Sequence, residues 1–204
     1  MTEHEAELES IFHADVQTQL QRALIQCLFG AYRVSDEEVC HFPPEEKKDI
    51  QGHYRWVQLR YLMRGLADRF PGIVASAEPY HTLITAGRIK LIAASAGEPG
   101  GPIRPANYKL EYANNSLDLF DQMPELPPHE GGYHFTILQH GVDVRERSQP
   151  AFARIIFVRK DMKPIHHFDL FRLHYELVNS LWIKSKSDDD LDIRLREDDE
   201  EKPL

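Results

Sequence analysis

The sequence predicts an α+β domain: N-terminal helices, then a mostly antiparallel sheet of four strands, then a C-terminal helix. Three observations support this order. Apolar residues recur at three- and four-residue steps in the first 70 residues, short runs rich in β-formers follow Pro79, and helical spacing returns at Phe168. A fifth strand is added if Leu191, Ile193 and Leu195, which alternate with charged residues, also pair with the sheet.

The N-terminal third predicts two long helices. Gly30 is expected to end the first, and Ser35–Glu38 fits a capping box that starts a short turn. Pro43 stops that turn, and the second helix runs from about residue 45 to 69, before Phe70-Pro71-Gly72. The apolar stripe of the first helix consists of Leu8, Ile11, Phe12, Val16, Leu20, Ala23, Leu24, Cys27 and Leu28.

The middle of the chain predicts the sheet. Strands are expected over residues 80–86, 89–95, 133–139 and 152–159, with a tight hairpin at Ala86-Gly87-Arg88. A helix over residues 168–182 follows, since apolar residues from Phe168 to Trp182 again have helical spacing.

Length and charge suggest one domain, residues 1–187, followed by an acidic tail, residues 188–204. The tail carries nine acids and three bases, a net charge of −6 out of −9 for the whole chain. This balance argues against non-specific nucleic-acid binding. No segment is apolar enough to span a membrane, and two cysteines, Cys27 and Cys40, do not form a disulfide scaffold. A cytoplasmic protein is therefore expected.

Motifs for cofactors and metals are missing from the sequence. No phosphate-binding glycine loop, dinucleotide-binding turn or nucleophile elbow is present. His167 and His174 are two helical turns apart, which is too far for one metal ion. No cofactor and no metal are therefore expected, and the sequence does not determine the oligomeric state.

The glycine and proline content of residues 97–132 predicts a long loop, and long loops often carry function. Inside it, Leu117, Asp118, Leu119 and Phe120 follow Ser116. This stretch resembles the Gln-Leu-(Ser or Asp)-Leu-Phe peptide by which bacterial proteins dock on the sliding clamp, with Ser116 where glutamine is preferred. The resemblance implies a protein partner that receives the apolar side chains in a groove.

Two Tyr-His pairs begin apolar runs. His134-Phe135-Thr136-Ile137 resembles the His-x-Thr-hydrophobic element of two-histidine phosphoesterases, and the run at His81 is a looser copy. The resemblance implies catalysis in which His81 and His134 act as acid and base and Thr136 holds a phosphate oxygen. Alternatively, both histidines are polar residues at strand ends.

The second helix has a basic face with an aromatic neighbour. His53, Arg60 and Arg64 share this face, and Trp56 borders it. Such a face could contact phosphates and stack a base, or could simply be solvated.

Taken together, the sequence favours a non-enzymatic macromolecule-binding or regulatory protein that uses the 97–132 loop. A protein partner is expected and no membrane; phosphoesterase activity and nucleic-acid binding are the alternatives.

Overall fold

The computed structural model describes residues 3–104, 106–116, 132–143 and 146–182. The chain divides into two compact units, residues 1–173 and residues 174–204. In the second unit, residues 175–182 form a helix. All other elements belong to the first unit.

The α+β prediction is confirmed, with two more strands than the four expected. The helices of the first unit are α1 (Glu3–Asp15), α2 (Thr18–Val39), α3 (Pro44–Arg64), α4 (Leu66–Arg69), α5 (Asn107–Asn114) and α6 (Leu170–Leu173). The strands are β1 (Ile73–Ala77), β2 (Thr82–Ala86), β3 (Ile89–Ser95), β4 (His134–Val142), β5 (Pro150–Val158) and β6 (Pro164–Asp169).

The six described strands form one sheet in chain order, β1 to β6. Four of the five neighbouring pairs are antiparallel, and β3 and β4 are parallel. A parallel pair needs a crossover connection, and α5 lies in the segment that joins β3 to β4. The sheet is therefore two antiparallel meanders joined by one parallel pair.

The sheet is covered on two sides. On the α5 side, Leu83, Ile92, Phe135 and Ile137 form a buried cluster with Ala113 of α5. The opposite side is called the α1–α3 side.

Two contacts define the α1–α3 side. Phe12 of α1 stacks on Phe168 of β6 with ring centroids 3.9 Å apart. The hydroxyl of Thr82 in β2 donates to the carbonyl of Arg60 in α3 at 3.1 Å. Helices thus cover both sides of the sheet.

The predicted stripe of the first helix is buried at every position, but the helix is two helices. The break is at Val16 and Gln17, where Gln17 has an extended backbone, φ −55° and ψ 154°. The amide of Gln21 donates to the freed carbonyl of Val16 at 2.6 Å. A side-chain hydrogen bond thus stabilises a break that no glycine or proline marks.

Contrary to the prediction, Gly30 does not end the helix and Ser35 does not start a new turn, because α2 continues to Val39. A Cβ at Gly30 would lie 3.3 Å from Cδ1 of Leu62 in α3, so the glycine allows close helix packing. The Ser35 hydroxyl donates to the Tyr32 carbonyl at 2.8 Å instead of capping a new helix.

The helix expected over 168–182 begins later. Phe168 and Asp169 belong to β6, and the backbone N–H groups of Phe171 and Arg172 both donate to Oδ1 of Asp169 at 3.1 Å. Asp169 therefore caps α6 at its N-terminus. The expectation that the helix begins at residue 168 was wrong because Phe168 and Asp169 pair with β5.

The segment 97–132, expected as one long loop, contains the helix α5. Residues 117–131 lie outside the described part of the chain. Among the described residues, no helix is both long and apolar enough to cross a membrane.

Candidate functional site

The two histidines of the Tyr-His runs lie on opposite sides of the sheet. His81 directly precedes β2, and its ring stacks on Tyr108 of α5 with the centroids 4.3 Å apart. His134 opens β4 opposite Ile89 and faces the α1–α3 side. Burial, and then the charge of Arg88, lower the pKa of His134.

Thr136 shares the side of His134, as strand alternation predicts, and its hydroxyl donates to the carbonyl of Lys90 at 3.2 Å. The phosphoesterase arrangement requires both histidine rings to face one cleft. The structure does not bring His81 and His134 together.

The basic face of α3 holds the turn between β1 and β2. The guanidinium of Arg60 lies 4.6 Å from the ring centroid of Trp56, and His53 lies 5.5 Å from the same ring. The indole N–H of Trp56 donates to the carbonyl of Tyr80 at 3.2 Å, and Nη2 of Arg60 donates to the carbonyl of Glu78. His53, Trp56 and Arg60 are thus brought together.

Arg64, the fourth residue of the predicted nucleic-acid face, is exposed on α3. The predicted partner-binding residues Leu117, Asp118, Leu119 and Phe120 lie outside the described residues, so the prediction that they dock on a partner stays a prediction.

A cavity of about 250 Å³ lies where β2 and β3 separate. The two strands pair from Ile84↔Leu91 to Ala86↔Ile89. Beyond that register, Thr82 of β2 and residues 93–95 of β3 line the cavity. Because the strands part here, side chains from both sides of the sheet reach one space.

Two helices and two histidines supply the other walls of the cavity. Tyr108 and Lys109 belong to α5, His81 directly precedes β2, and His140 belongs to β4. The residues from α3 are Gly52, Arg55, Trp56, Leu59, Arg60 and Met63.

Three cationic side chains line the cavity, and no carboxylate does among the described residues. Arg55 and Lys109 are each only 7% exposed. Burial lowers the pKa of both groups. Asp36 acts on Arg55 electrostatically from outside the lining, but its carboxylate also accepts the amide of Gln51 at 2.8 Å.

Three buried nitrogens on this lining have no hydrogen-bond partner within the described structure: Nε of Arg55, Nε of Arg60 and Nδ1 of His81. The other ends of these groups are anchored. Nη2 of Arg55 donates to the carbonyl of Arg147 at 3.3 Å, and Nε2 of His81 lies 3.2 Å from the hydroxyl of Tyr112. Buried polar groups are normally satisfied, so three unpaired nitrogens on one cavity lining make this cavity the candidate site.

A buried polar pair stands behind the cavity. The Tyr32 hydroxyl lies 2.9 Å from Nδ1 of His140, and the guanidinium of Arg55 lies 4.1 Å from the Tyr32 ring centroid. Burial and the nearby charge of Arg55 lower the pKa of His140 to about 3. His140 is therefore neutral at physiological pH.

A second cavity, of about 430 Å³, shares Gly52, Arg55 and Ser95 with the first. A Cβ built on Gly52 meets no atom within 4 Å. Glycine inside a helix costs about 1 kcal/mol relative to alanine, so its presence at the junction of the two cavities is consistent with the approach of a ligand.

Sequence reasoning identified His81, Trp56 and Arg60 but assigned them to two separate sites. It missed Arg55, Lys109 and His140. His140 had a detectable signal, because it is six residues after His134 and so shares its side of the strand. Arg55 and Lys109 had none, since their burial depends on the packing of α3 and α5.

No group of residues suited to hold a metal ion is found in the described part of the chain. Comparisons with protein-family models, with curated proteins and with solved structures gave no match.

Proposed function

We propose that this protein binds a small organic anion in the cavity between α3 and α5. The observation that supports the proposal is a set of unpaired buried nitrogens, Nε of Arg55, Nε of Arg60 and Nδ1 of His81, which belong to three residues that line the same cavity.

The charge of the cavity is the physical reason. A buried cation is costly unless an anion or several hydrogen bonds compensate it. Among the described residues, Nζ of Lys109 donates to the carbonyl of Arg104 at 2.8 Å and lies 5.8 Å from the ring centroid of Tyr108, and neither contact supplies a negative charge. With three cations and no carboxylate on the described lining, an anionic ligand would complete the charge balance.

The apolar part of the lining indicates that the ligand also has an apolar body. Leu59, Met63, Ala93 and Ala94 provide apolar surface beside the donors. A ligand with a carboxylate or phosphate group on a small apolar body would use both parts, because charge-assisted hydrogen bonds hold the oxyanion and the body is removed from water.

Binding of such an anion is compatible with the regulatory role that the sequence favours. The sequence-based proposal of a protein partner at Leu117–Phe120 is independent of the cavity.

The test uses three probes: benzoate, phenyl phosphate and benzylamine. We expect benzoate or phenyl phosphate to raise the melting temperature and to give measurable heats in titration calorimetry, since a ligand that binds only the folded state stabilises it. Benzylamine, which has the opposite charge, should do neither. Equal effects of benzylamine and benzoate, or no effect of either aryl anion, would contradict the proposal.

A substitution at Gly52 tests whether the anion binds in the cavity. Gly52→Leu should weaken binding of the aryl anion at least about tenfold, because its side chain would occupy the junction of the two cavities without meeting an atom at Cβ. Val57→Leu is the matched control, since Val57 is exposed on the same helix outside both linings. Unchanged affinity in Gly52→Leu would place the anion elsewhere.

A further inference from the structure

The Tyr32 hydroxyl determines which nitrogen of His140 carries the proton. Tyr32 is fully buried, and its hydroxyl interacts with Nδ1 of His140 and with the guanidinium of Arg55. Of these two groups only Nδ1 can accept a proton, because a guanidinium has no acceptor. If the hydroxyl accepted a proton from Nδ1, its own O–H would be buried without a partner, which costs about 1–3 kcal/mol. The hydroxyl therefore donates, and Nδ1 accepts.

Two consequences follow for the His140 ring. A neutral imidazole has one N–H, so with Nδ1 unprotonated the proton is on Nε2. His140 is neutral because burial, and then the charge of Arg55, lower its pKa. Nδ1 is hydrogen-bonded to the hydroxyl of Tyr32, which does not line the cavity. Nε2 is therefore the ring nitrogen of His140 that is available to a ligand in the cavity.

We propose that His140 is a ligand-binding residue that donates its Nε2–H to the bound anion, and that Tyr32 is the positioning residue that fixes this tautomer and the orientation of the ring. This inference rests on the proposed anion-binding function.

The donor character of the site specifies the chemical class of the ligand. The guanidinium groups of Arg55 and Arg60 and the ammonium of Lys109 can only donate. With Nε2–H of His140 added, these four groups all favour a fully deprotonated oxyanion. An uncharged amide of the same shape, which presents N–H groups where the oxyanion presents an acceptor, would meet donors with donors and be rejected.

Benzoate and benzamide test this selectivity, because they differ only in the group that faces the donors. We expect benzoate to bind at least about tenfold more tightly than benzamide to the wild-type protein. The double variant Tyr32→Phe/His140→Leu removes both members of this hydrogen bond, and Arg55 keeps its hydrogen bond to the carbonyl of Arg147, so the variant should fold. In it, benzoate affinity should fall about tenfold, and benzamide affinity should stay the same. If benzoate affinity is unchanged in the double variant, His140 is not a binding residue.

The tautomer is measured separately, without ligand. A long-range proton–nitrogen NMR correlation distinguishes protonated from unprotonated ring nitrogens, and the signal absent from the double variant assigns His140. We expect Nε2 to be protonated in the wild type, and the single variant Tyr32→Phe to change the signals of His140 and lower benzoate affinity. A proton on Nδ1 in the wild type would overturn the inference.

The two measurements separate this inference from the proposed function. If benzoate binds and is blocked by Gly52→Leu while Nδ1 carries the proton, the proposed function survives and the role of His140 is wrong. If no aryl anion binds at all, both fail, whatever the tautomer.

Discussion

The hydroxyl of Tyr32 in α2 lies 2.9 Å from Nδ1 of His140 in β4, and 108 positions separate the two residues in the sequence. Both residues are buried. A buried hydrogen bond of this kind is costly to break because each partner would be left unsatisfied. The pair therefore fixes α2 against the sheet and holds His140 at the wall of the cavity.

Replacing the ammonium of Lys109 should separate binding from stability. Lys109→Met should weaken benzoate binding about tenfold or more in calorimetry, because one of three cations on the cavity is lost. The free energy of unfolding in urea should stay within about 1 kcal/mol of the wild type, since a buried cation without a carboxylate contributes little net stability.

Lys163→Met is the control for Lys109→Met. The ammonium of Lys163 forms an exposed ion pair with Asp161 at 2.9 Å, outside the cavity lining. It should leave benzoate binding unchanged. Equal binding by the wild type and Lys109→Met would show that Lys109 does not contact the anion.

Acid should destabilise the protein through His140. Its pKa is lowered to about 3 by burial and then by Arg55, so the unfolded chain binds a proton near pH 6.5 that the folded protein does not. The free energy of unfolding is therefore highest above pH 6.5 and loses about 1.4 kcal/mol for each pH unit below it, until pH approaches the folded pKa.

The double variant Tyr32→Phe/His140→Leu lacks this contribution. Its free energy of unfolding, measured in urea at pH 7, 6 and 5, should fall less steeply than that of the wild type. His81, His134 and His167, whose pKa values burial also lowers, remain in both proteins and cancel in the comparison. Identical slopes would show that His140 does not contribute to the acid sensitivity.

Gly141, at the irregularity near the end of β4, should not tolerate a side chain. A Cβ there would collide with the ring of Phe152 and lie 2.7 Å from the carbonyl oxygen of Ala96. Gly141→Ala should lower the free energy of unfolding by about 2–3 kcal/mol. Gly97→Ala is the control, because its Cβ meets no atom within 4 Å, and it should change stability by less than about 0.5 kcal/mol. Equal melting temperatures of the two variants would contradict this packing.

The sliding-clamp resemblance has a direct test. The 204-residue protein should bind an immobilised bacterial sliding clamp, and the variant with Leu119→Ala and Phe120→Ala should not, because the apolar side chains that would enter the groove are removed. The melting temperatures of the two proteins should agree. If the wild-type protein does not bind the clamp, the prediction for Leu117–Phe120 is wrong.

Local sequence was sufficient for much of the fold. The spacing of apolar residues from Leu8 to Leu28 predicted which side of the first helices is buried, because helical periodicity is a property of neighbouring residues. The hairpin at Gly87 was predicted as well, and its φ of +54° suits glycine. The short strands β1 and β6 were missed: β1 is rich in small residues, and β6 begins with Pro164 and contains two histidines.

The candidate site depended on the tertiary structure. The sequence showed two similar Tyr-His runs, but the strand order and register placed His81 and His134 on opposite sides of the sheet. The cavity exists because β2 and β3 separate beyond Ile84 and Leu91. Packing between segments far apart in the chain determines which side chains meet there and which buried groups have no partner. Local periodicity carries no information about such contacts.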